Sequence, residues 1–204
     1  MKFIVFEGLD GSGKDTQLDN ALSYIRQKNK YSQLWITREP THNTEAGREI
    51  AKKLKEGGFK SGYEALDLYV KDRIEQTAIR KEILKHSHIL SSRFDYSTYA
   101  YQVAQGLSFE EVYKAHDYSK ILIPDITFIF DVSIENIEKR LSGRGDKKEF
   151  FEELSFLKIV REKYLEAYEK LKNERNIYLI DANNSIKETF EEVKKILDKE
   201  LEIS

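Results

Sequence analysis

The feature that most restricts this chain is its beginning. The apolar run Phe3-Ile4-Val5-Phe6 leads into GLDGSGKDTQ, Gly8 to Gln17. So short an apolar run before a glycine-rich turn reads as a buried strand. Gly8, Gly13 and Lys14 satisfy G-x-x-x-x-G-K, and a helical pattern follows over about Thr16–Lys28. That order defines a strand–loop–helix unit whose glycines let backbone N–H groups converge on an anion. The helix N-terminus adds partial positive charge, and Lys14 can reach the outer phosphates. The alternative is an ordinary glycine-rich turn. The preferred reading is a nucleotide site built from Gly8, Leu9, Asp10, Gly11, Ser12, Gly13, Lys14, Asp15 and Thr16.

Asp15 stands where such loops place Ser or Thr, whose hydroxyl binds Mg²⁺. The loop could have lost its metal site. Thr16 could supply the hydroxyl, although it lies one step further around the helix. Asp15 could bind Mg²⁺ itself, since carboxylate oxygen is a hard ligand.

Strand patterns recur at Lys2–Phe6, Leu34–Thr37, His88–Leu90, Ile126–Val132 and Ile177–Ile180. Helical patterns lie over about Thr16–Lys28, Glu45–Lys55, Tyr63–Lys85, Tyr96–Gln105, Phe109–Tyr118, Ile134–Leu141, Glu149–Lys172 and Ile186–Leu201. This alternation predicts an α/β fold, a parallel sheet covered by helices on both faces. Its 204 residues suit a single domain, 1–204, with a small mobile insert, and 40% hydrophobic residues suffice for a core. The net charge of -2 argues against holding nucleic acid by its phosphates. With no cysteine there are no disulfides or thiolate metal sites. No apolar run could span a bilayer, and the N-terminus lacks signal-peptide architecture. The expectation is a cytoplasmic protein without membrane contact.

Further stretches share one context. Arg38-Glu39-Pro40-Thr41 follows the second strand, and Leu68-Tyr69-Val70-Lys71-Asp72-Arg73 lies on the long helix. Arg93-Phe94-Asp95-Tyr96-Ser97-Thr98-Tyr99-Ala100-Tyr101-Gln102 follows the third strand. Pro124-Asp125-Ile126-Thr127-Phe128-Ile129-Phe130-Asp131 and Phe156-Leu157-Lys158-Ile159-Val160-Arg161 come later. Together with the phosphate loop, they make the chain resemble the thymidylate kinases over nearly its whole length.

The resemblance implies a five-stranded parallel sheet of the P-loop nucleoside monophosphate kinase type, with a mobile lid at about 142–149. It implies ATP and Mg²⁺ as co-substrates, dTMP as acceptor and a homodimer. By the same resemblance, Asp10 faces the acceptor's sugar hydroxyl and phosphate, and Tyr69 stacks on its base. Tyr69 could otherwise be a core aromatic. Arg73 and Arg93 are implied to grip the acceptor phosphate with bidentate forks. Thr98 and Tyr101 are implied to contact the base and crowd the sugar 2′ position. The cations Lys139, Arg140, Arg144, Lys147 and Lys148 resemble a lid closing over ATP, with Arg140 at the nucleotide. Lys14, Arg93 and Arg144 are the expected catalytic residues. Arg144 is chosen because Gly11 occupies a loop position where one branch of the family has arginine. A solvated, flexible loop is the plainer reading of that cluster.

Three places depart from the family pattern. Ser92-Arg93-Phe94 replaces Asp-Arg followed by an aromatic or His. Gln105 replaces an arginine. Asp146-Lys147-Lys148-Glu149 replaces Asp-Arg-x-Glu. The first pairs with Asp15: one carboxylate and one hydroxyl are conserved but exchanged. The expectation is a reciprocal swap, with Asp15 and Ser92 as the metal pair and Ser92 either hydrogen-bonded to Asp15 or serving the hydration shell. Without metal, Asp15 would repel the phosphates. The leading reading is ATP-dependent phosphorylation of dTMP to dTDP. The alternatives are a kinase for another nucleoside monophosphate and a nucleotide-binding protein with weak catalysis.

Overall fold

The computed structural model describes residues 1–141 and 147–202, with only the helical backbone of 147–152. Five parallel strands form the sheet: β1 (Phe3–Gly8), β2 (Leu34–Arg38), β3 (His88–Ser92), β4 (Ile126–Asp131) and β5 (Ile177–Asp181). Their order is β2-β3-β1-β4-β5. β1 is central, with Phe3 beside Ile89 of β3 and Ile4 beside Ile126 of β4. Covered on both faces, it is buried at every residue, which is why it reads as a continuous apolar run and not an alternating one.

Among the described residues, eight helices flank the sheet: α1 (Lys14–Lys28), α2 (Glu45–Lys55), α3 (Gly62–Ile83), α4 (Asp95–Ala104), α5 (Phe109–Ala115), α6 (Ile134–Leu141), α7 (Lys147–Leu171) and α8 (Ile186–Glu200). α1 packs on α8, whereas α3, α4, α5 and α7 pack among themselves. The chain leaves β1 toward β2 on one side and reaches β4 on the other. The crevice at the C-terminal end of β1 is therefore a topological switch point, where such sheets bind ligands.

The expected elements are all present, and the bounds of α2 and α6 match. Thr44 caps α2 by accepting from Gly47 N. Elsewhere local chemistry moves the ends. β1 continues past Phe6 through Glu7, a fully buried carboxylate that hides the strand pattern. α1 starts at Lys14 because Gly13 is its N-cap in the left-handed region, φ 87°. α5 stops at Ala115 because His116 leaves helical geometry at ψ 72°.

Candidate active site

The ends of β1, β2 and β3 bring the first cluster together. In the phosphate loop, Gly8, Gly11 and Gly13 all have positive φ. A Cβ on Gly8 would stand 2.8 Å from the Phe130 carbonyl oxygen, so that position admits only glycine. Lys14 is buried, its Nζ lying between two carboxylates: 3.2 Å from Asp10 Oδ1 and 3.7 Å from Asp15 Oδ2. Burial and the charge of Arg93 lower its pKa, while Asp10 and Asp15 partly restore it.

Arg93 follows β3 with φ 69°, a strained conformation for a residue with a side chain, costing about 1–2 kcal/mol. Its N–H donates to Phe6 O, and its carbonyl accepts from Ser91 Oγ. The turn aims the guanidinium back at the loop, where Nη2 donates to Asp10 Oδ1 at 2.8 Å. Nη1 donates to Ser97 Oγ and to Tyr164 Oη. Asp10 thus joins Lys14 to Arg93. Burial alone would raise its pKa, but the two cations hold it below the ordinary aspartate range.

The expected exchange partners meet. Ser92 Oγ donates to Asp15 Oδ1 at 2.5 Å, and Arg38 Nη2 donates to the same oxygen at 3.0 Å. Burial pushes the Asp15 carboxyl up, but the Ser92 bond and the charges of Lys14, Arg38 and Arg93 outweigh it. The result is an ionised hard-oxygen group that is half exposed. This fits a Mg²⁺ that arrives with nucleotide phosphates and keeps several waters. Among the described residues, no group of three or more His, Asp or Glu could hold a metal alone. Thr16 is exposed at the start of α1.

Beside this cluster opens a cavity of about 660 Å³, with Asp10 and Arg93 in its wall. Tyr69, Arg73, Thr98 and Tyr101 also line it, as do Phe59, Ser97 and Gln102. Tyr101 lies over the Arg93 guanidinium, 5.4 Å from its ring centre. Phe59 packs 5.8 Å from Tyr69. Arg73 does not bond to the Lys14 cluster. It is 1% exposed, and Nε donates to Glu39 Oε2, Nη2 to Phe94 O and Nη1 to His116 Nε2. Arg80 holds the other Glu39 oxygen at 2.8 Å.

Arg140 turns its guanidinium onto the back of the phosphate loop, donating to Gly11 O at 3.0 Å and to Ala182 O at 2.8 Å. Arg144, most of the expected lid and the side chains of Lys147 and Lys148 lie outside the described residues.

Sequence reasoning missed Glu7, Glu39, Phe59 and His116. Glu7 accepts Phe94 N, Ser97 N, Ser97 Oγ and Tyr164 Oη, anchoring the start of α4. An acid inside an apolar strand was its signal. Glu39 stood in a recognised stretch without a role. His116 carried no local signal for its contact with Arg73, which lies 43 positions away in the chain.

A phosphate loop on a parallel sheet, sharing two charged residues with a second pocket, defines a P-loop phosphotransferase of the nucleoside monophosphate kinase class. The thymidylate kinase family model matches residues 6–193. A probable thymidylate kinase of Methanococcus aeolicus is 36% identical, covering 98% of both chains. The thymidylate kinase of Mesoplasma florum is 33% identical, covering 98% of this chain and 97% of its own. The crystal structure of thymidylate kinase from Ehrlichia chaffeensis superposes with a TM-score of 0.72 at 25% identity, covering 96% of this chain and 98% of its own. The chain belongs to the thymidylate kinase family.

Proposed function

We propose that this chain, acting as a single kinase domain in the cytoplasm, transfers the γ-phosphoryl group of ATP to dTMP, giving ADP and dTDP. One observation carries the reading: Asp10 and Arg93 belong both to the phosphate-loop cluster and to the wall of the 660 Å³ cavity. Donor and acceptor bound on either side of that pair would present their phosphates to each other. The names of the relatives supply the choice of dTMP.

An acceptor phosphate oxygen attacks the γ-phosphorus, and the bond to the ADP oxygen breaks. An ionised phosphate is nucleophile enough, so no general base is required. Catalysis is alignment and charge neutralisation. Backbone N–H groups of Gly8–Lys14 and the Lys14 ammonium hold the donor phosphates. Arg93, with two N–H groups on one fork, holds the acceptor phosphate against them. Tyr69 offers an apolar face to the base, and Thr98 and Tyr101 border the sugar. Arg73 sits with most of its N–H groups already bonded, so it serves the inner end of the cavity through those that remain. Mg²⁺ would be held by Asp15, directly or through water, with Ser92 orienting the carboxylate. The chemistry the ion supplies is neutralisation of phosphate charge. Arg144 is proposed as the further catalytic cation.

The test is ADP production from Mg²⁺-ATP with dTMP, dUMP, UMP, dCMP and dGMP offered separately. Preference for dTMP is expected. Preference for another acceptor would keep the mechanism and discard the thymidylate assignment. ATP binding without turnover on any of them would favour the nucleotide-binding reading.

We also propose a homodimer. Trp35 and Ile36 on the edge strand β2 are half exposed, and with Ile79 and Ile83 of α3 they line an open groove of about 430 Å³. An apolar face of this kind, next to an unpaired strand edge, suits burial against a second copy.

A further inference from the structure

We infer that His116 is a positioning residue for Arg73, its imidazole setting the plane of the guanidinium that closes the inner wall of the acceptor cavity. The inference rests on the acceptor reading of that cavity.

Arginine nitrogens only donate. The 2.8 Å contact between Arg73 Nη1 and His116 Nε2 therefore requires an unprotonated Nε2. The ring proton then sits on Nδ1, which donates to Val112 O at 2.7 Å. Val112 belongs to α5, so the end of that helix dictates the tautomer. The ring itself is clamped. It stacks on Tyr99 at 5.3 Å and on Tyr118 at 5.8 Å, with interplanar angles of 21° and 16°. Rotating it would break both stacks.

Arg73 is thereby held on three nitrogens by three separate elements: Glu39 after β2, Phe94 before α4 and His116 after α5. Two anchors would leave the fork free to rock about the axis joining them. The third fixes its plane, which decides where the remaining N–H groups point. A protonated His116 would offer no acceptor and would set two cations edge to edge. Burial, joined by the charge of Arg73, drives its pKa down to about 3, against the attraction of Asp95. Arg175 further disfavours the charge, and the facing Tyr99 and Tyr118 hydroxyls are held neutral by burial.

The test compares His116→Gln, which keeps a carbonyl acceptor near the Nε2 position, with His116→Met, which keeps bulk and loses the acceptor. Loss of one hydrogen bond to a charged group should raise the dTMP KM of the Met variant by about tenfold to a hundredfold. The ATP KM should stay unchanged, and the Gln variant should recover most of the loss. In the unmutated protein, imidazole ¹⁵N spectra should show Nε2 unprotonated from about pH 5 to 8. Equal behaviour of the two variants, joint movement of both KM values, or a proton on Nε2 would overturn the inference. The tautomer readout needs no acceptor, so its failure is separable from failure of the dTMP reading, which shows as absent turnover in the unmutated protein.

Discussion

Lys14 lies between two carboxylates, and that sets what the nucleotide must do on arrival. Asp10 and Asp15 balance its charge before any phosphate enters. A metal-free nucleotide has to displace these contacts and face Asp15 as a like charge, worth several kcal/mol at an effective dielectric of about 20. Binding of ATP is therefore expected to strengthen steeply with Mg²⁺, measurable by calorimetry at fixed ATP and varied metal. Asp15→Ser should flatten that dependence and lower activity. Adding Ser92→Asp should restore both, since the two side chains share a hydrogen bond. If the losses instead add, the pair is uncoupled and the exchange idea fails. Arg93 makes a second test. Arg93→Lys keeps the charge but loses the fork that reaches Asp10, Ser97 and Tyr164 at once. A fall in kcat of about a hundredfold or more is expected, as for removal of one donor to a developing charge.

At the scale of the element, β1 does more than fill the core. Its last residues carry Glu7 to the N-terminus of α4 and Gly8 into the phosphate loop. The Glu7 carboxylate accepts Phe94 N and Ser97 N, bonds that helix starts otherwise leave unmet. The same strand end accepts Arg93 N at Phe6 O, so the strained turn is tied down at both sides. Gly8 has φ 145° and the Phe130 carbonyl at its back. Gly8→Ala should lower stability by about 1–3 kcal/mol, a cost of holding a side chain in such a region. The urea midpoint would show it. A loss of nucleotide affinity should accompany it, because the loop must shift to make room.

At the scale of the whole molecule, burial ties the site to pH. The pKa of His116 is lowered from its ordinary value to about 3. Below about pH 6.5 the unfolded chain takes up a proton that the folded one refuses. Stability should fall by about 1.4 kcal/mol per pH unit from there toward pH 3 on this account. His116→Gln should remove that component of the slope in urea titrations at pH 4 to 7. Asp10 and Asp15 act in the same direction at lower pH. Their folded values are depressed, so the stability they lend is present above about pH 4 and lost as pH falls through the folded values. The groove beside Trp35 belongs to the same scale. If it is a dimer face, the native chain should run as a dimer in light scattering and Trp35→Glu as a monomer with the fold retained. A native monomer would refute that assignment. No helix among the described residues is long and apolar enough to cross a membrane.

What the sequence determined by itself is whatever short-range chemistry writes. The apolar run of β1 and the glycine spacing of the loop are contiguous patterns, and both form where they were read. The reversal at Asp15 and Ser92 was also legible, because each residue broke a local pattern in a complementary way. Their contact, across 77 positions of chain, required the fold. Only the tertiary structure could decide the fate of the charged side chains. Arg73, read as one of two arginines on the acceptor phosphate, proves to be buried and bonded to Glu39, Phe94 and His116. His116 itself was silent. A charge is worth what its neighbours make it, through burial and pairing, and neighbours brought together by a parallel sheet come from far along the chain.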